Sequence, residues 1–241
     1  MARIRIKGQR RIVVALVTVL TIGMIVAVVG KATPWPSAMV IRAVFQQGGT
    51  ATAEEITRHV PSTPLTQKSD VQYSDGSAGG NTTFDAFSPR SGSARLPTVF
   101  WVHGGAWISG SKNDVDPYLR ILAASGYTTI GVNYTVGPEA QYPTALVQLN
   151  EALAFLVAHA AQYRIDPSRI VLAGDSAGAN LASQLAVLMT NPDYAELLGI
   201  TPALSPDQVV GTILNCGVYD LGNMADLDGV AAWGFKVALW A

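Results

Sequence analysis

The run Ile170-Val171-Leu172-Ala173-Gly174-Asp175-Ser176-Ala177-Gly178 decides the fold. Four apolar residues lead into G-D-S-A-G, and a helical pattern follows at once, with Ala177, Leu181, Leu185 and Leu188 spaced for one face. The order is strand, sharp turn, helix. It is the G-x-S-x-G turn, which lifts a serine hydroxyl clear of a sheet. Gly174 and Gly178 let the backbone turn more tightly than a Cβ would allow. The first amides of the following helix lack intrahelical partners, so their N–H groups can face a developing oxyanion.

A second motif lies upstream. Pro97 to Val102 reads as a buried strand and ends in His103-Gly104-Gly105-Ala106-Trp107. Glycines there allow the main chain to approach a substrate carbonyl closely, and their N–H groups with that of Ala177 would form an oxyanion hole. His103 precedes the serine and belongs to this loop, so it reads as a loop brace and not as a base.

Around these motifs the chain alternates. Val71 to Tyr73 and Thr82 to Phe87 read as a hairpin, 114–125 as a helix, 127–134 as a strand and 143–163 as a long helix. His159 sits on that last helix as a structural or exposed residue. Val209 to Cys216 reads as another strand, with Cys216 a buried thiol. Strands alternating with helices imply an α/β fold, a mostly parallel sheet with helices on both faces. Active groups would gather at the carboxyl ends of the strands.

HGGAWISGSK, NYTVGPEAQYPTAL and GDSAGANLASQLA together resemble the hormone-sensitive-lipase-like branch of the α/β-hydrolases, nearest its acetyl-esterase and feruloyl-esterase-like members. The resemblance spans about residues 71–221. It implies an α/β-hydrolase fold and carboxylic-ester hydrolysis on a small-molecule ester, with short-chain acyl or aryl esters as the default. It implies Ser176 as nucleophile and the N–H groups of Gly104, Gly105, Ala106 and Ala177 as oxyanion donors. Ala106 stands where the family usually has a third glycine; its N–H survives. Asp175 matches the acidic position of the motif and supports the turn without being the triad acid. Asp220 reads as structural, and Asp226 and Asp228 as loop residues.

Length and composition fit this reading. The chain has 241 residues, 49% apolar and 14% charged, with net charge −1. That suits one buried domain with a hydrophobic extra, and gives no basic excess for nucleic acid. One cysteine excludes an intrachain disulfide. His59, His103 and His159 lie far apart in sequence, and no Cys or His pair has ligand spacing, so neither a metal nor an organic cofactor is expected.

The N-terminus carries Arg3, Arg5, Lys7, Arg10 and Arg11, then an uncharged run over residues 12–30. At 1.5 Å per residue that run spans about 28 Å, close to the hydrocarbon core of a bilayer. The expected domains are a basic flank and transmembrane anchor over 1–30, a linker with a short helix over 31–70, and a partial hydrolase domain over 71–241. The basic flank would stay cytoplasmic and the hydrolase domain extracytoplasmic; secretion after signal cleavage is the alternative. Residues 38–45 read as a short surface-packing helix, with a cap over the site as the other possibility.

The triad order in this fold is Ser, then Asp or Glu, then His. No histidine follows Ser176. The expectation is therefore a chain lacking the last strands, and nearly inactive as written. Three functions compete: a membrane-anchored ester hydrolase, a tethered non-catalytic protein that keeps the pocket for binding, and a non-functional fragment.

Overall fold

A computed structural model describes residues 12–24, 33–74, 81–224 and 228–240. Six strands form one sheet: β1 (Leu65–Gln72), β2 (Thr83–Pro89), β3 (Leu96–Val102), β4 (Thr128–Val132), β5 (Ile165–Asp175) and β6 (Val209–Asn215), ordered β1-β2-β4-β3-β5-β6. β1 and β2 enter antiparallel, and β4, β3, β5 and β6 run parallel. The helices are α1 (residues 12–24), α2 (Trp35–Thr57), α3 (Lys112–Ala124), α4 (Thr144–Ala158), α5 (Ala177–Thr190), α6 (Pro192–Leu198), α7 (Leu221–Met224) and α8 (Gly229–Trp240).

The expected mostly parallel sheet with helices on both faces is present, and its cause is visible in β3. Successive side chains of a strand point to opposite faces. Phe100 and Val102 join the large core with Ile130, Leu149, Leu172 and Leu185. Val99 and Trp101 join Leu119, Ala123 and Phe87 beneath α3. Because both faces are covered, the central strands read as apolar runs without alternation. α3 starts at a capping box: the Ser111 side chain accepts from the Asn113 amide at 3.3 Å, and Asp114 accepts from the Ser111 amide at 2.8 Å.

Three sequence expectations change. The stretch 46–70 was expected to be mostly linker, but α2 continues to Thr57 and β1 begins at Leu65. Cys216 was expected to be buried and is exposed, because β6 is the outer strand and most of its residues face solvent. The long helix α4 stops at Ala158, short of 163. The expected membrane span covers α1, whose apolar residues are all exposed; its described part reaches about 20 Å at 1.5 Å per residue. No described helix is long and apolar enough to cross a membrane. Residues 25–30, the basic cluster and Asp226 lie outside the described residues.

Candidate active site

The parallel register sets the site. Val102 of β3 pairs with Gly174 of β5, and Asp175 with Asn215 of β6, so three strand ends finish side by side. Ser176 follows directly and takes φ 52°, ψ −118°. A non-glycine residue held there costs on the order of 1–3 kcal/mol, which the surrounding packing must supply. The Ser176 amide donates to the Asn215 carbonyl at 2.8 Å, and its own carbonyl accepts from the Asn180 amide at 3.2 Å. The serine is half-buried.

The two motifs touch through their backbones. A Cβ on Gly178 would lie 2.1 Å from the Val102 carbonyl oxygen and 2.5 Å from that of His103. One on Gly174 would lie 2.7 Å from the Val102 oxygen, and one on Gly104 would lie 2.7 Å from the Asp175 oxygen. Only hydrogen fits at these three points, which explains the glycines of G-x-S-x-G and the first glycine of the loop.

Asp175 ties the same contact with hydrogen bonds. Trp101 Nε1 donates to its Oδ1 at 3.0 Å, and the Gly104 amide donates to the carboxylate as well. Burial raises the Asp175 carboxyl above its ordinary range, while these donors pull it down. Asp175 thus ties the turn to Trp101 and the glycine loop. Gly104, a candidate oxyanion donor from the sequence, has its N–H already engaged there. Among the described residues, no main-chain acceptor takes the amides of Gly105, Ala106 or Ala177. Gly105 and Ala106 have φ of 116° and 55°, so Ala106 carries the left-handed conformation that a glycine adopts freely.

His103 sits as a brace. It is 2% exposed, its ring stacks on Tyr134 at 4.4 Å, and Nδ1 donates to the Gly104 carbonyl at 2.8 Å. Tyr134 Oη donates to the His103 carbonyl at 2.9 Å. Burial lowers the His103 imidazole from its ordinary 6.5 to about 4, so it is neutral at pH 7. The unfolded chain binds more protons than the folded one between those values, and stability must rise with pH across that window. The contribution is fully present above pH 6.5 and is lost as pH falls toward 4. Two and a half units correspond to about 3 kcal/mol. Urea titrations at pH 7 and pH 4 should show the natural protein losing about that much more stability than a His103→Gln variant; equal losses would refute the buried neutral imidazole.

The helix expected to be short is longer and packs as a surface element. Ala38 and Ile41 of α2 meet Ile108 and the α8 residues Val237 and Ala238. Arg42 donates from Nε to the Ile108 carbonyl at 2.7 Å and from Nη2 to the Gly137 carbonyl at 2.6 Å, and it pairs with Glu139. Nothing in the local sequence around Arg42 signals this link to the glycine loop. His159 is exposed, stacked on Phe155. Asp220 accepts from the Asn223 amide at the start of α7, a structural part as expected, and Asp228 is exposed.

A cavity of about 790 Å³ adjoins the turn, walled by Trp107 of the glycine loop, Tyr134, Asn180 and Leu181 of α5, Tyr219 and Trp240. Ser176 is not in its wall; Asn180, one helical turn along α5, is. Among the described residues, no charged side chain lines the cavity.

Residues 84–229 match the family model described as BD-FAE. The chain belongs to the BD-FAE family. A protein of Acanthamoeba polyphaga mimivirus named as an alpha/beta hydrolase is 33% identical over 129 residues, which cover 52% of this chain and 37% of that protein. Among solved structures, esterase B from Lactobacillus rhamnosis superposes with a TM-score of 0.69 at 23% identity, over 84% of this chain and 65% of that one. The esterase LipW from Mycobacterium marinum gives 0.62 at 24% identity, over 85% and 62%. A bacterial heroin esterase gives 0.61 at 22% identity, over 81% and 60%. These likenesses establish the alpha/beta-hydrolase fold for this BD-FAE member. The chain spans about a third of the viral relative and less than two thirds of each esterase named.

Proposed function

We propose that this BD-FAE member carries a serine-dependent carboxylic-ester hydrolase site. The observation that carries the reading is the backbone contact between the Ser176 turn and the 103–107 loop. In this reading Ser176 Oγ attacks the ester carbonyl carbon and its proton passes to a base. The carbonyl oxygen becomes an oxyanion held by the amides of Gly105, Ala106 and Ala177. The C–O bond then breaks, the alcohol leaves with a proton, and water releases the acid from the acyl-enzyme. One oxyanion donor is worth roughly 3 kcal/mol in serine hydrolases. The ester is a small neutral molecule, in line with the uncharged cavity wall.

The base is the missing party within these 241 residues. His103 is buried with Nδ1 engaged, while His59 and His159 are exposed, the latter bonded within α4. Loss of the histidine base costs on the order of 10⁶ in turnover in a serine protease. The chain by itself should therefore turn esters over on the order of 10⁶ more slowly than a site complete with its base. The same lack favours a second reading, a tethered protein that binds ester-like molecules without turning them over.

Imidazole in solution supplies the absent base and separates the readings. A fluorophosphonate probe should label the chain only when imidazole is added, and a Ser176→Ala variant should stay unlabelled in both conditions. Absence of labelling with imidazole would reject the hydrolase reading. Strong labelling without it would reject the claim that this chain is nearly inactive.

We also propose that residues 12–30 anchor the protein in a membrane with the N-terminus cytoplasmic and the hydrolase domain on the far side. The support is the uncharged run itself and the basic cluster before it.

A further inference from the structure

We infer that Tyr142, Tyr194 and Gln184 form a subsite that accepts a hydroxyl group at the remote end of the ester; this rests on the ester-hydrolase reading above for the class of ligand. The cluster starts at a main-chain carbonyl. That of Val218 can only accept, so the Asn180 side chain faces it with Nδ2, at 2.8 Å. Asn180 Oδ1 is then left for α5 itself and takes Gln184 Nε2 at 2.7 Å. Each amide fixes the orientation of the next, and Gln184 Oε1 is turned to the two tyrosines. Tyr142 Oη and Tyr194 Oη both lie 2.9 Å from it, as donors. The two phenol oxygens are also 3.0 Å from each other.

Three oxygens therefore touch pairwise, and each phenol brings a single proton while the amide oxygen brings none. Two of the three contacts can hold a proton and the third cannot. The cluster is short of one donor. Its most open member is Tyr142, 57% exposed, whereas Gln184 and Tyr194 are half-buried. Tyr142 and Gln184 stand in the wall of the cavity of about 790 Å³. A donor arriving through that cavity completes the set.

Position and charge define what fits. Gln184 follows Ser176 by eight residues on α5, about 12 Å at 1.5 Å per residue. Its side chain leans back toward the start of the helix, as long side chains on helices do. The group it meets thus belongs to the far end of an extended chain and not to the carbon beside the ester. Trp107 and Leu181 in the same wall offer apolar surface to the carbons of that chain. An ammonium would find no counter-charge among the described residues of the wall, whereas a hydroxyl gives its proton to Tyr142 Oη and stays neutral. A purely apolar pocket has the opposite preference. It favours a plain alkyl chain, because a terminal hydroxyl would lose its water and gain no partner.

The test titrates the full chain, as Ser176→Ala so that no ester is consumed, with methyl octanoate and with methyl ω-hydroxyoctanoate. Tryptophan fluorescence reads occupancy, since Trp107 and Trp240 stand in the cavity wall. The hydroxy ester should bind about two- to tenfold more tightly, the size of one net hydrogen bond. Adding Tyr142→Phe should abolish that preference. Both esters meet the same variant, so a general loosening of the wall lowers both affinities and leaves their ratio. Equal affinities, tighter binding of methyl octanoate, a preference that survives Tyr142→Phe, or no binding of either ester would overturn the subsite. Fluorophosphonate labelling of the natural chain with imidazole judges the hydrolase reading separately. Labelling without a hydroxyl preference rejects the subsite alone. A hydroxyl preference without labelling keeps the subsite and rejects the hydrolase.

Discussion

A Gly178→Ala variant should fail to hold the native fold at room temperature. The added Cβ would sit 2.1 Å from the Val102 carbonyl oxygen and 2.5 Å from the His103 oxygen. Both neighbours are backbone. Val102 is hydrogen-bonded into β3, which pairs on both sides, so neither atom can rotate away as a side chain would. Relief requires α5 to shift off the sheet or β3 to slide, and either motion unseats Ser176. The expected cost is upward of about 4 kcal/mol, a size reached only by a few mechanisms of this kind. Against a total stability of roughly 5–15 kcal/mol, that leaves little or no folded protein. Gly48→Ala is the matched control. Gly48 lies in α2 with no atom near its would-be Cβ, so alanine should stabilise by up to about 1 kcal/mol through helix propensity. Urea unfolding followed by circular dichroism reads both. Near-native stability of Gly178→Ala would contradict the backbone contact on which the site is built.

Lys112→Met should be the next most damaging substitution. The Lys112 ammonium is 3% exposed and lies 2.8 Å from Asp85, itself 7% exposed, and 2.8 Å from the exposed Asp70. Burial alone would lower the ammonium, but the hydrogen bonds to Asp70 and Asp85 outweigh it and hold it above its ordinary value. Methionine keeps the length and removes the charge, leaving the Asp85 carboxylate buried with, among the described residues, only the Asp70 amide for a partner. Breaking a buried pair from one side costs about 3–5 kcal/mol, whereas replacing both partners by apolar groups is often close to neutral. The double variant Lys112→Met with Asp85→Leu should therefore recover much of what the single variant loses. A single variant as stable as the natural chain would show that the pair is dispensable.

The strands that carry the site were legible because they are central. Pro97 to Val102 and Ile170 to Ala173 are apolar on both sides, and each ends in a motif whose glycines have no other use. β1 was hidden for the opposite reason. Its residues Leu-Thr-Gln-Lys-Ser-Asp-Val-Gln form an edge strand with nearly every side chain exposed, so no alternation marks it. The second half of α2 was hidden likewise, since polar residues and Gly48-Gly49 cover a helix that buries little. Cys216 misled because a thiol on an apolar strand is normally interior, and among the described residues β6 has no neighbour on its outer side. Links between distant positions left no local trace: Gly104 to Asp175, Lys112 to Asp85, Arg42 to Ile108. The first of these joins the two motifs, and only the folded arrangement reveals it.

Arg42 lies well before residue 84, where the family match begins. Yet its guanidinium grips the Ile108 carbonyl, two residues after the last of the candidate donors in that loop. A recombinant piece trimmed to the matched region would keep the serine and its turn, but would lose the outside tether on the end of the glycine loop.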